Sequence, residues 1–168
     1  MLNQHILRAA ARYCSYANFI PAPVTRRQAI SLSIASFLLQ HAESQKLGRV
    51  LPAPCKVILS GKIVMQPDIV FIRNERRGLI EEQSLHGAPD LVVEVLFPGI
   101  RTKDLRVKKK IYEHYEVQEY WLVDPDEAAI ETMIWSELGY ISVCAFDKFE
   151  NLSSPLLPNL NLDLSKVF

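Results

Sequence analysis

The chain moves from a helical hydrophobic period to a strand period near Gly48. Before it, Ile30, Ile34, Phe37, Leu38 and His41 fall on one stripe at helical spacing. Thr25 and Gln28 have capping-box spacing, in which hydroxyl and amide each satisfy a free backbone N–H, and Gly48 reads as the stop. His41, late in the stripe, reads as a half-buried residue favoured by the helix dipole. Strands are then predicted over 49–51, 56–59, 63–65 and 68–73, punctuated by Pro52, Pro54, Gly61 and Pro67. Residues 74–87 form a polar connection with a charged tip. Residues 90–97 are a strongly apolar strand halted by Pro98 and Gly99, and 102–115 carry a second helical pattern. A strand over 119–124 ends at Pro125, and 130–135 and 140–146 predict a hairpin around Gly139. The tail, 152–168, alternates Leu with polar residues and is expected to pack along the body without long regular structure. Near the start, residues 1–20 are ambiguous in pattern, with a short helix over 6–12 as one option, and Pro21 and Pro23 end the segment. This order predicts one α/β (α+β) domain over 1–168, a sheet covered by helices, with an atypical segment over 1–24.

Composition narrows the function classes. A chain of 168 residues is long enough to bury a core without disulfides or a structural metal. No apolar run approaches a membrane span, which excludes a helical transmembrane protein. Cys14, Cys55 and Cys144 are far apart and lack metal-site spacing, as expected of reduced thiols in a cytoplasm. Nineteen basic residues balance nineteen acidic ones, which argues against a histone-like coat held by bulk charge. The balance is uneven: Arg8, Arg12, Arg26 and Arg27 all precede Glu43, the first acid. Such a start resembles a transit segment in composition but runs directly into a well-formed helix, and Arg8 and Arg12 interrupt any secretory core.

The chemistry concentrates in three places. Glu94 sits within Asp-Leu-Val-Val-Glu-Val-Leu-Phe, a strand apolar on both faces and so expected to be central. An unpaired carboxylate there would cost several kcal/mol, so a cation, a metal ion or a proton must offset it. Asp68 begins another apolar strand. If the two strands are neighbours, Asp68 and Glu94 converge, and a divalent ion such as Mg²⁺ would relieve their repulsion. On the following helix, at roughly 100° per residue, Lys108 falls inside the apolar arc of Leu105, Val107, Ile111, Tyr112 and Tyr115. Its neighbours Arg106, Lys109 and Lys110 fall outside that arc. Lys108 is therefore expected to meet Glu94, as a structural ion pair or, with Asp68 and a metal, as a hydrolytic centre. Two carboxylates, a divalent ion and a lysine suit phosphodiester hydrolysis by metal-activated water. Arg101, Lys103, Arg106, Lys109 and Lys110 would then line a DNA backbone, with Arg73, Arg76 and Arg77 on the loop as further candidates.

These residues also carry a likeness. Pro67-Asp68-Ile69-Val70, Gly87-Ala88-Pro89-Asp90-Leu91-Val92-Val93-Glu94-Val95-Leu96, Pro98, Asp104-Leu105, Lys108, Tyr112 and Glu119-Tyr120-Trp121-Leu122-Val123-Asp124-Pro125 stand in an order that resembles the Uma-type restriction endonuclease family. That family is a bacterial branch, abundant in cyanobacteria, of the PD-(D/E)XK nuclease superfamily. The likeness covers about residues 25–168 and includes a closing Ser-x-x-Leu-Pro-x-Leu-x-Leu segment from Ser154 to Leu162. It implies a restriction-endonuclease-like core, a mixed β-sheet flanked by helices, and Mg²⁺- or Mn²⁺-dependent cleavage of DNA by a cytoplasmic homodimer. Asp68 and Glu94 match the metal-binding acids. The superfamily lysine normally lies two residues after the second acid, where this chain has Leu96, and Lys108 matches its displaced position. The chain departs from the pattern in three respects. The usual N-terminal Glu has no counterpart before Glu43, Phe97 replaces a Ser, and Arg27 stands where a His is common. The alternative expectation is therefore a catalytically impaired relative that binds DNA or protein.

Overall fold

The computed structural model describes residues 24–96 and 102–168, with side chains from Thr25 and, after the gap, from Leu105. The helix expected over 6–12 and the stop at Pro98 and Gly99 lie outside the described residues. Helix α1 (Val24–Ser44) buries Ile30, Ile34 and Leu38 along the stripe read from sequence. Its ends differ from expectation. Val24 is already helical, so Thr25 and Gln28 lie inside the helix rather than capping it. Lys46, with φ of 54°, turns the chain at the C-terminus while the Leu47 N–H donates to the Ala42 carbonyl. Gly48 instead opens the first strand.

Six strands form the main sheet: β1 (Gly48–Pro52), β4 (Ile69–Arg73), β6 (Leu91–Val95), β7 (Glu119–Asp124), β8 (Ala129–Ile134) and β9 (Ile141–Asp147), in the order β1-β4-β6-β7-β8-β9. The β6–β7 pair is parallel and the other pairs are antiparallel, so the sheet is mixed. Helix α2 (Thr102–His114) lies between the parallel strands in sequence, the crossover that parallel pairing demands. A smaller sheet joins β2 (Val57–Ser60), β3 (Ile63–Met65) and β5 (Leu85–His86) in the order β3-β2-β5. β5 lies within the predicted polar connection, which opens as a 3₁₀ turn over Asn74–Leu79. The tail contributes only β10 (Asn151–Leu152), β11 (Leu162–Asp163) and a 3₁₀ turn (Leu164–Lys166).

All five residues of β6 are buried, as a central strand requires. Alternation then assigns the faces. Leu91, Val93 and Val95 pack with Trp121, α1 and tail residues Leu152, Leu157, Leu160 and Leu162. Val92 packs on the other face with Val70, Ile72, Tyr120, the small sheet, and Ile111 and Tyr112 of α2. Glu94 has the parity of Val92 and faces α2. The fold is therefore a mixed sheet flanked by helices, as predicted.

Candidate active site

The β4–β6 register places Ile69 opposite Val93 and Val70 opposite Val92. One step further along the same register puts Asp68 opposite Glu94, on the face shared by Val70 and Val92. The two acids expected to converge therefore stand opposite each other, and both are buried, with residue exposures of 7% and 3%.

Each carboxylate is held by its own donors. Lys108 Nζ donates to Glu94 Oε2 at 2.7 Å, and the Tyr112 hydroxyl donates to Oε1 at 2.8 Å. Burial raises the Glu94 pKa most, the Lys108 ammonium pulls it back, and the Asp68 charge pushes it up again, leaving it above the ordinary value. Burial, followed by the charge of Glu94, pushes the Tyr112 phenol well above its ordinary value, so it remains a donor. Asp68 is tied by the backbone N–H of Val95, which donates to Oδ2 at 2.8 Å. Arg27, in the first turn of α1, closes the arrangement. Its Nη2 donates to Asp68 Oδ1 at 2.5 Å and its Nε to the Val95 carbonyl at 3.0 Å. Arg27 comes from the helix on one face of the sheet and Lys108 from the helix on the other.

The roles of Tyr112 and Arg27 were not legible as such. The sequence places Tyr112 in the apolar arc and in the family likeness without giving it a role, although a phenol one turn from the inward lysine is the available signal. Arg27 was noted as a substitution, but no local pattern shows a helix N-terminus reaching over the end of a strand. Glu43, the first acid of the chain, is far from this role: it is exposed and stands 3.9 Å from Arg49.

The predicted DNA-contacting residues fare differently. Arg101 and the Lys103 side chain lie outside the described residues. Arg106, Lys109 and Lys110 line a shallow cavity of about 320 Å³ with Glu113, Leu138, Gly139 and Tyr140. They occupy the side of α2 turned away from Glu94, and Lys110 pairs with Glu113 at 2.5 Å. They therefore do not ring the carboxylate pair. Arg73 and Arg76, also considered for phosphate contact, instead clamp the fully buried Asp90 at 2.8 and 2.9 Å.

Glu119 is a fourth buried acid, which the sequence shows only as the start of a strand and as part of the family likeness. Its Oε1 accepts from Trp121 Nε1 at 2.7 Å, and its Oε2 accepts from Ser154 Oγ at 2.7 Å and from the Leu156 N–H at 3.3 Å. It anchors the tail to the sheet.

The donor chemistry of Asp68 and Glu94 suits a hard divalent cation, which prefers one or two carboxylates completed by water and phosphate oxygens. Among the described residues no third His, Cys, Asp or Glu joins them. All four carboxylate oxygens accept hydrogen bonds, so an ion on Asp68 Oδ1 would take the place of the Arg27 guanidinium.

The Uma2 family model, described as a putative restriction endonuclease, matches residues 18–165. The chain belongs to this family. It is similar in fold to the crystal structure of a putative nuclease belonging to DUF820 from Anabaena variabilis ATCC 29413. That match has a TM-score of 0.71 at 20% identity and covers 89% of this chain and 83% of the other. No curated protein matches the chain. Among the described residues, no helix of this Uma2 member is long and apolar enough to cross a membrane.

Proposed function

We propose that this Uma2 member is a cytoplasmic DNA endonuclease that hydrolyses phosphodiester bonds with Mg²⁺ or Mn²⁺, acting as a homodimer so that two sites serve two strands. The observation that carries this reading is the buried Lys108–Glu94 pair standing beside Asp68. Asp68 and Glu94 would hold the ion, whose chemistry is to polarise a phosphate oxygen and acidify water. Lys108, fixed on Glu94, presents its ammonium where a water is oriented and where charge grows on the phosphorus oxygens. Tyr112 keeps Glu94 from rotating away from that lysine. The sheet supplies rigid support, since Glu94 lies within β6 and Asp68 stands immediately before β4, its neighbour in the sheet.

Plasmid DNA incubated with the purified protein and Mg²⁺ or Mn²⁺ tests the reading. Nicking or cutting is expected in the wild type and its loss in Asp68→Ala and Lys108→Ala. Unchanged cutting in both variants would refute the assignment.

A second reading, a DNA- or protein-binding module without catalysis, is favoured by the Arg27 guanidinium on Asp68. A binder retains DNA without cleavage at any divalent ion concentration, with affinity falling as salt rises.

A further inference from the structure

Resting on the metal-dependent reading above, we propose that Arg27 is a cationic lock on the carboxylate pair, holding Asp68 closed to a divalent ion until its side chain swings out. The first argument is charge. Asp68 and Glu94 carry two negative charges and Arg27 and Lys108 two positive ones, in a pocket where the acid side chains are only 10% and 4% exposed. Counted over these four side chains alone, the charges cancel. A divalent ion added beside both cations would raise the local positive charge, which a poorly solvated pocket screens weakly.

The second argument is geometry. Arg27 bridges Asp68 Oδ1 and the Val95 carbonyl, while the Val95 N–H holds Oδ2. The Asp68 carboxylate is thus pinned through both oxygens, and the guanidinium lies on the oxygen an ion would take.

The third argument is the chemistry of arginine. A guanidinium keeps its charge, so it makes way for a cation only by moving. Of the two cations, Arg27 is the one placed to move: its side chain is 25% exposed on the first turn of α1, whereas Lys108 is 13% exposed behind Glu94.

Mn²⁺ binding to the full chain, followed by the electron paramagnetic resonance signal of the free ion, tests the lock without relying on cleavage. Arg27→Gln removes the charge at similar size and is expected to bind Mn²⁺ about tenfold tighter or better. Arg27→Lys keeps the charge but cannot fork to both acceptors, and is expected to fall between. Arg27→Gln combined with Asp68→Asn is expected to lose the gain. Circular dichroism confirms folding, and Arg27→Lys carries the test should the Gln variant not fold. Equal Mn²⁺ affinity in wild type and both single variants overturns the lock and leaves the nuclease reading standing. No Mn²⁺ binding in any form overturns both.

Discussion

The Lys108 ammonium meets Glu94 at 2.7 Å inside the sheet–helix interface, with side-chain exposures of 13% and 4%. Removing one partner of such a buried pair strands the other charge away from water. Lys108→Ala is therefore expected to destabilise the fold by about 3–5 kcal/mol. Lys108→Met combined with Glu94→Gln removes both charges and should recover most of that loss. Urea unfolding of the wild type and these two variants checks this. A Lys108→Ala protein as stable as wild type would mean that Glu94 takes up a proton at little cost.

Glu119 gives the cleanest pH signature, because Trp121, Ser154 and Leu156, its hydrogen-bond partners among the described residues, include no cation. Burial raises its pKa above the ordinary 4.5, against the lowering effect of hydrogen bonds from Trp121, Ser154 and Leu156. Between the ordinary value and the raised one, the folded state holds a proton that the unfolded state has released. The contribution of Glu119 is thus fully present below 4.5 and is lost as pH rises through the folded value. Glu119→Gln cannot titrate, and the altered hydrogen bonding gives only a constant offset. The stability of wild type minus that of Glu119→Gln is expected to fall across this window and to flatten above it. Denaturant melts at stepped pH read the slope, and a difference that climbs with pH would contradict it.

Asp90 organises the connection between β4 and β6. Its side chain is fully buried and accepts from the Arg73 N–H at 2.9 Å, from Arg73 Nε at 2.8 Å and from Arg76 Nη1 at 2.9 Å. The arginine side chains are 42% and 35% exposed, so solvent screens much of the ionic part. Asp90→Ala is expected to cost about 1.5–3 kcal/mol, the range of charge-assisted hydrogen bonds. It should also expose residues 74–87 to limited proteolysis. An unchanged cleavage pattern would show that the 3₁₀ turn holds without its clamp.

What could be read ahead of the coordinates followed from periodicity. The inward aim of Lys108 came from a 3.6-residue repeat, and the meeting of Asp68 and Glu94 came from two apolar strands that pair as neighbours. The misreadings share another cause: one residue type serves several local purposes. Gly48 was read as a helix stop, yet Lys46 adopts the left-handed turn. Arg73 and Arg76 read as candidates for a phosphate backbone because nothing local shows that Asp90, well over ten residues on, lies beneath them. The Arg27 contact depends on how α1 crosses the sheet, which is set by the packing of Ile30, Ile34 and Leu38 rather than by sequence around Arg27.

Gly48 is needed for close approach between β1 and β4. A Cβ on it would stand 2.0 Å from the Ile72 carbonyl oxygen and 2.7 Å from Phe71 Cε2. The first obstacle is backbone in the middle of the sheet, paired on its other side with β6, and cannot yield as a flexible side chain would. Gly48→Ala must therefore push β1 outward and loosen its register of Gly48 with Arg73. The expected cost is about 1–3 kcal/mol, the range found for overpacked sites, and toward the upper end. Gly61→Ala is the matched control, since nothing lies within 4 Å of its Cβ. Urea midpoints of the two variants should separate clearly, with Gly61→Ala near wild type. Equal midpoints would mean that β1 is free to shift, and that its spacing from β4 contributes little to holding Asp68 at the end of its strand.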